Sequence, residues 1–137
     1  MNTFFLETKD KILLEFVLYQ EEAPATVQAF LQSLPFTRNW IHASVSGQEI
    51  WIDDAPCLAV PQENASVFVS PGEVVIGPAI PLRNRVAGCM GIYYGEGKGL
   101  DAGNIIAKVV DRDFDKLRKL GKDIWYNGAQ RLRLFNE

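Results

Sequence analysis

Along the N-terminal segment the apolar positions recur with period two. Leu14, Phe16 and Leu18 fall on one face and Glu15 and Val17 on the other, the signature of a half-buried strand. The polar run Thr8-Lys9-Asp10-Lys11 precedes it, so Phe4–Glu7 and Ile12–Tyr19 are predicted to form a hairpin. The period then changes. Val27, Phe30, Leu31 and Leu34 are spaced i, i+3, i+4 and i+7, one stripe of a helix from Pro24 to Leu34. Pro24 suits the first helical turn, Glu21 and Glu22 sit near the positive end of the dipole, and Pro35 ends the helix. Trp40–Val45 and Glu49–Ile52, joined by Ser46-Gly47-Gln48, read as a second hairpin.

The middle of the chain is punctuated by proline. Pro56, Pro61, Pro71, Pro78 and Pro81 are five of the seven prolines, and they restrict this region to edges, bulges and loops. Short strands at Ser66–Val69 and Val74–Ile76 fit between them. Six of the eleven glycines follow from Gly88 to Gly103. Cys89–Tyr94 is predicted as a strand and the run GEGKGLDAGN as a long mobile connection, with residues 95–103 long enough to form a lid. Asn104–Val110 is a further strand. Asp113–Leu120 is a second short helix, capped by Asp111 or Asp113 and stopped by Gly121. Ile124–Gly128 adds a further turn, and Arg131–Phe135 a closing strand. Short strands at intervals of roughly ten residues, with only two helices, indicate a mainly β, antiparallel sandwich or closed barrel. A doubly wound parallel sheet does not fit.

Composition narrows this picture. The chain has 137 residues, 47% hydrophobic and 23% charged, ordinary values for one globular domain over residues 1–137. A net charge of −3 argues against a general polyanion-binding surface, so no nucleic-acid partner is expected. No apolar run reaches the ~18 residues of a membrane span, and the N-terminus lacks a basic leader pattern. Cys57 and Cys89 are far apart and form no metal-type cluster. Free thiols and a cytoplasmic location are the expectation.

Candidate chemistry is sparse. His42 is the only histidine; Ser44, Ser46, Asp53 and Asp54 are the neighbours with which it would have to build a triad, and no GxSxG turn is present. One histidine and two distant cysteines do not supply a zinc site, so neither metal nor cofactor is expected. The GEGKGLDAGN run lacks the GxxxxGK(S/T) spacing of a phosphate-binding loop. Arg131 and Arg133 alternate with leucines as the outer face of a strand. The large residues Trp40, Trp51, Tyr93, Tyr94 and Trp125 supply core, and one or two of them can line a pocket at a barrel mouth.

The order of the elements resembles a known family. EEAPATVQAFLQSL is similar to the first-helix motif of cyclophilins, an Ala-Pro-x-Thr-Val-x-x-Phe run after the second strand. IHASVSGQEIWI resembles the segment that carries Phe-His-Arg in that family, and GNIIAKVVDRDFDKLRKLG its later strand–helix stretch. GIYYGE and LGKDIWYNGAQ look more closely like uncharacterised bacterial and archaeal cyclophilin-like proteins. The resemblance implies a closed antiparallel eight-stranded β-barrel with two short capping helices. It also places Ala43 where cyclophilins keep a catalytic arginine, and Trp51-Ile52-Asp53-Asp54 where they keep Gln-Gly-Gly. Loss of that donor implies a scaffold without efficient prolyl isomerase activity. The expectation is therefore a barrel that binds a small molecule or short peptide through His42, Trp51, Arg83, Tyr93, Tyr94 and Glu96. The alternative is an enzyme on the same scaffold, a residual prolyl isomerase or another isomerase or hydrolase. A homodimer is the commonest form self-association would take.

Overall fold

A computed structural model describes residues 2–80 and 85–137. Among these residues eight strands and two α-helices follow in the order β1 (Thr3–Glu7), β2 (Leu13–Leu18), α1 (Pro24–Ser33), β3 (Phe36–His42), β4 (Gly47–Ile52), β5 (Ala65–Phe68), β6 (Glu73–Ile76), β7 (Met90–Val109), α2 (Phe114–Asn127) and β8 (Gln130–Phe135). A single 3-10 turn, Asp111–Asp113, leads into α2. The strands run β2-β1-β8-β3-β4-β7, and a β2–β7 pairing closes the antiparallel ring. The fold is mainly β, with both helices packed against the ring.

Period two works as expected in the outer strands. Leu14, Phe16 and Leu18 of β2 and Leu132 and Leu134 of β8 are buried, while Arg131 and Arg133 face outward. Inside the ring Phe4 stacks on Phe16 with ring centroids 4.8 Å apart, and Phe30 of α1 meets Phe4 edge-on at 4.9 Å. The apolar stripe of α1 thus fills one end of the core. Its open N–H groups are served from a distance. The Glu63 carboxylate accepts hydrogen bonds from the Thr26 backbone at 2.8 Å and the Thr26 hydroxyl at 2.6 Å. Partial burial pushes this carboxyl upward, but the bonds from Thr26 and Ala25 hold it below its usual range. Glu21 and Glu22 lie outside the first turn of α1.

Four sequence expectations need correction. The strand predicted from Trp40 begins at Phe36, because Phe36–Trp40 pair with Leu134–Gln130 although Thr37, Arg38 and Asn39 break the apolar alternation. That strand ends at His42, so the hairpin turn is Ala43–Ser46 instead of Ser46-Gly47-Gln48. Gly121 does not stop the second helix, which runs on to Asn127. Asp113 provides no side-chain cap to it; its carboxylate accepts the Glu15 N–H at 2.9 Å and pairs with Lys116 at 3.1 Å.

The largest departure is the glycine-rich run. It is not a free connection: the whole of Met90–Val109 is strand. Val74 of β6 lies opposite both Ile92 and Ala107, and Ile76 opposite both Met90 and Asn104. Two parts of one strand therefore flank β6. Between them residues 93–103 swing outward, pairing first with β4 (Glu49 with Tyr93, Gly47 with Gly97) and then with β5 (Ser66 with Gly103). This excursion has its own small core of Val69, Tyr93 and Ile105.

Helix α2 docks onto β7 by a close approach at Gly121, where an added Cβ would come within 2.1 Å of the Tyr94 ring. Gly121→Ala is expected to raise helix propensity locally yet destabilise the protein by ~1–3 kcal/mol through overpacking. An unchanged or raised urea midpoint would show that α2 sits less tightly on Tyr94.

Candidate functional site

Strand β4 sorts its side chains by alternation. Ile50 and Ile52 enter the main core, while Glu49 and Trp51 share the opposite face. That face meets the outward excursion of β7. Between them lies a partly open cavity of about 230 Å³, walled by Ala43–Ser46, Glu49, Trp51, Val75, Met90, Tyr93 and Leu100 among others. Trp51, half-buried, lines this space instead of filling it.

The polar centre of the cavity is Glu49, only 8% exposed. The Ser46 hydroxyl donates to its Oε1 at 2.5 Å, and the Tyr93 hydroxyl supplies a second hydrogen bond. Gly91 makes the seat: a Cβ there would stand 1.7 Å from Glu49 Oε2. Burial pushes the Glu49 carboxyl above its ordinary range, opposed by the bonds from Ser46 and Tyr93. The Tyr93 phenol is pushed up by burial and then by the charge of Glu49. Cys89 also lines the cavity. Burial and the nearby Asp53 and Glu49 charges push its thiol up, so it stays protonated at neutral pH and is no activated nucleophile. At the rim, Arg85 grips Asp101 through Nε at 3.0 Å, Nη2 at 3.3 Å and its backbone N–H at 2.9 Å.

His42 stands elsewhere. With Tyr94, Trp125, Tyr126 and Lys122 it lines a wider, shallow hollow of about 480 Å³, separated from the first cavity by the wall Ala43–Val45. Its Nδ1 is 2.8 Å from the Ala43 carbonyl and its Nε2 2.7 Å from the Tyr94 hydroxyl. A carbonyl only accepts, so Nδ1 carries a proton and donates it to Ala43. The Trp125 ring covers the imidazole with centroids 4.4 Å apart. No triad forms around it, since its two ring nitrogens meet the Ala43 carbonyl and the Tyr94 hydroxyl instead of a carboxylate and a serine.

The six predicted site residues are thus divided. Trp51 and Tyr93 meet at the cavity, and His42 and Tyr94 at the shallow hollow. Neighbours in sequence, Tyr93 and Tyr94 point to opposite faces of β7. Glu96 is exposed and borders neither space. Arg83 lies outside the described residues. Glu49, Ser46 and Cys89 were missed as site residues; the available signal was the period-two placement of Glu49 on the same face as Trp51. Among the described residues no cluster of three or more metal-ligating side chains occurs, and no helix is long and apolar enough to cross a membrane.

A family model described as "Protein of unknown function (DUF3830)" matches residues 8–136. No curated protein matches the chain. Among solved structures, that of McbB in complex with tryptophan superposes with a TM-score of 0.79 at 19% identity, over 98% of this chain and 44% of the McbB chain. The chain therefore spans less than half of that protein. A hypothetical protein from Archaeoglobus fulgidus gives a TM-score of 0.64 at 19% identity, over 98% of this chain and 94% of its own. A cyclophilin-type peptidyl-prolyl cis-trans isomerase from Cryptosporidium parvum, in the presence of the dipeptide Ala-Pro, gives 0.51 at 15% identity over 85% and 84%. At these identities the likeness is one of fold.

Because Glu49 is held above its unfolded range, its contribution to stability is present at acid pH and fades as pH rises through the folded-state value. Glu49→Gln, which cannot ionise, should gain stability relative to the native protein between pH 4 and pH 8. Denaturant midpoints of the two proteins that stay parallel over this range would contradict the burial of the charge.

Proposed function

The chain belongs to the DUF3830 family, and we propose that it binds a small, largely apolar molecule in the cavity between Trp51, Glu49 and Tyr93. The observation that carries this is a mostly apolar cavity with a few converging polar groups and a carboxyl of raised pKa, the usual make-up of a ligand site. Its volume of about 230 Å³ falls below the ~300–1,000 Å³ of pockets for drug-sized ligands. A molecule of amino-acid size suits it better than a peptide. Two similar folds are known with small ligands, McbB with tryptophan and the cyclophilin with a dipeptide. Cytoplasmic residence accompanies this role, since both cysteines are free, as in compartments that keep thiols reduced.

Prolyl isomerisation is not the activity we propose. The position aligned with the cyclophilin arginine is Ala43, whose methyl group donates nothing to a substrate carbonyl. The neighbouring His42 has both ring nitrogens engaged. A protease-coupled prolyl isomerisation assay should show turnover near background, and rates in the range of ordinary cyclophilins would overturn this part.

A second reading is favoured by one observation. A buried, raised carboxyl touching a phenol and a serine hydroxyl is suited to moving protons. In that case Glu49 is an acid–base group and binding is the first step of turnover.

The binding role is tested by ligand-observed NMR with a library of small aromatic and aliphatic fragments. Hits should compete for one site, and Val75→Phe and Ser66→Phe, which thicken two different walls of the cavity, should each abolish binding. Hits that survive both substitutions would place the ligand elsewhere.

A further inference from the structure

Among the described residues three ionisable groups other than the Cys89 thiol and the Tyr93 phenol line the cavity: Glu49, Arg85 and Asp101. The one guanidinium is committed, gripping Asp101 through two side-chain nitrogens and its backbone N–H. Among the described residues no lysine lines the cavity and no cation lies within salt-bridge distance of Glu49. The donors that reach its carboxyl are the hydroxyls of Ser46 and Tyr93.

Those two hydroxyls spend their protons on Glu49, so what each can still offer a ligand is an oxygen lone pair. Around Glu49 the site therefore offers acceptors. Gly91 adds to this, because any side chain there would occupy the space beside Oε2. Around this acceptor cluster the walls are apolar, among them Val69, Val75, Val86, Met90 and Trp51. A buried carboxylate without a cationic partner is costly, and a ligand cation would relieve it. A ligand carboxylate placed on Glu49 would meet a like charge there, with both neighbouring hydroxyls already donating.

We propose that the cavity selects a primary or secondary amine borne on an apolar body, its ammonium group seated on Glu49 with Ser46 and Tyr93 as flanking acceptors. This rests on the binding role proposed above and specifies its ligand class. An ammonium brings two or three N–H donors to a cluster that lacks them, and Trp51 and the aliphatic walls take the remainder of the molecule.

Three probes of one shape separate the chemistry: 2-phenylethylamine, 2-phenylethanol and 3-phenylpropanoate, titrated calorimetrically into the full chain at pH 7.5. The amine should bind at least ~10-fold tighter than the alcohol, as expected for a charge-assisted hydrogen bond, and the carboxylate weakest. Glu49→Gln should bring the amine down to the affinity of the alcohol while leaving the alcohol within about twofold, because the glutamine still offers it a neutral hydrogen bond. The wild-type series decides by itself should that variant fold poorly. An alcohol or carboxylate as tight as the amine overturns the proposal, as does an amine preference that persists in Glu49→Gln. Absence of binding by all three probes overturns it as well. Equal binding of the three, abolished by Val75→Phe and by Ser66→Phe, sinks the amine preference and leaves the cavity as a binding site.

Discussion

Both edges of β6 are satisfied by a single strand, and much of the architecture follows from that constraint. Backbone N–H and C=O groups in a sheet must be paired, and β6 finds its partners at Met90–Ile92 on one side and Asn104–Lys108 on the other. Both parts run antiparallel to β6 and so run in the same direction. The chain between them cannot go straight; it leaves over β4 and returns past β5. The excursion needs glycine where backbones crowd. A Cβ at Gly97 would stand 2.3 Å from the Ser46 carbonyl, and one at Gly103 2.5 Å from the Val75 side chain. The cavity is the space left between this excursion and the outer face of β4.

The return limb is held by a buried polar node. Asn104 is fully buried, and its amide donates to the Thr26 hydroxyl at 2.9 Å and the Pro61 carbonyl at 3.0 Å. Its Oδ1 accepts the Glu63 N–H at 3.0 Å. One side chain thereby ties α1, the proline-rich connection and β7 together. Glu63 in turn stands in for the cap that α1 lacks among its own residues. Buried networks of this kind define a geometry only when every member is satisfied, which holds for each of Asn104's three bonds.

Legibility in the sequence followed the physics of each segment. Where one face meets the core and the other meets water, as in β2, β8 and α1, the period alone revealed the element and its buried face. The order of elements and the cyclophilin resemblance then anticipated the closed antiparallel barrel. Phe36–Asn39 were missed because their pairing to β8 does not require an apolar alternation. The glycine run misled for a related reason. Glycine signals a mobile loop as readily as a close backbone approach, and only the pairing to β4, β5 and β6 distinguishes the two. Trp51 and Tyr93, which line the cavity, had been singled out by their size. Glu49 was not, because a single acidic residue in a strand resembles a solvated one until its face is known.

The wall Ala43–Val45 divides two chemistries that the cyclophilin comparison would merge. On one side His42 is bound at both nitrogens and covered by Trp125, an arrangement that orders the ring and leaves it no open position. On the other, Glu49 is more deeply buried than His42 yet has hydroxyls as its hydrogen-bond partners. Burying a carboxyl without a cation works against stability, and the fold goes further by placing glycine where a side chain would otherwise shield it. Local arrangements that oppose stability concentrate at functional positions. The aligned histidine thus has the character of a structural residue, and the residue with unspent chemistry lies across the wall from it. Strand β3 ends at His42, and the turn that begins at Ala43 is what sets His42 and Glu49 on different sides.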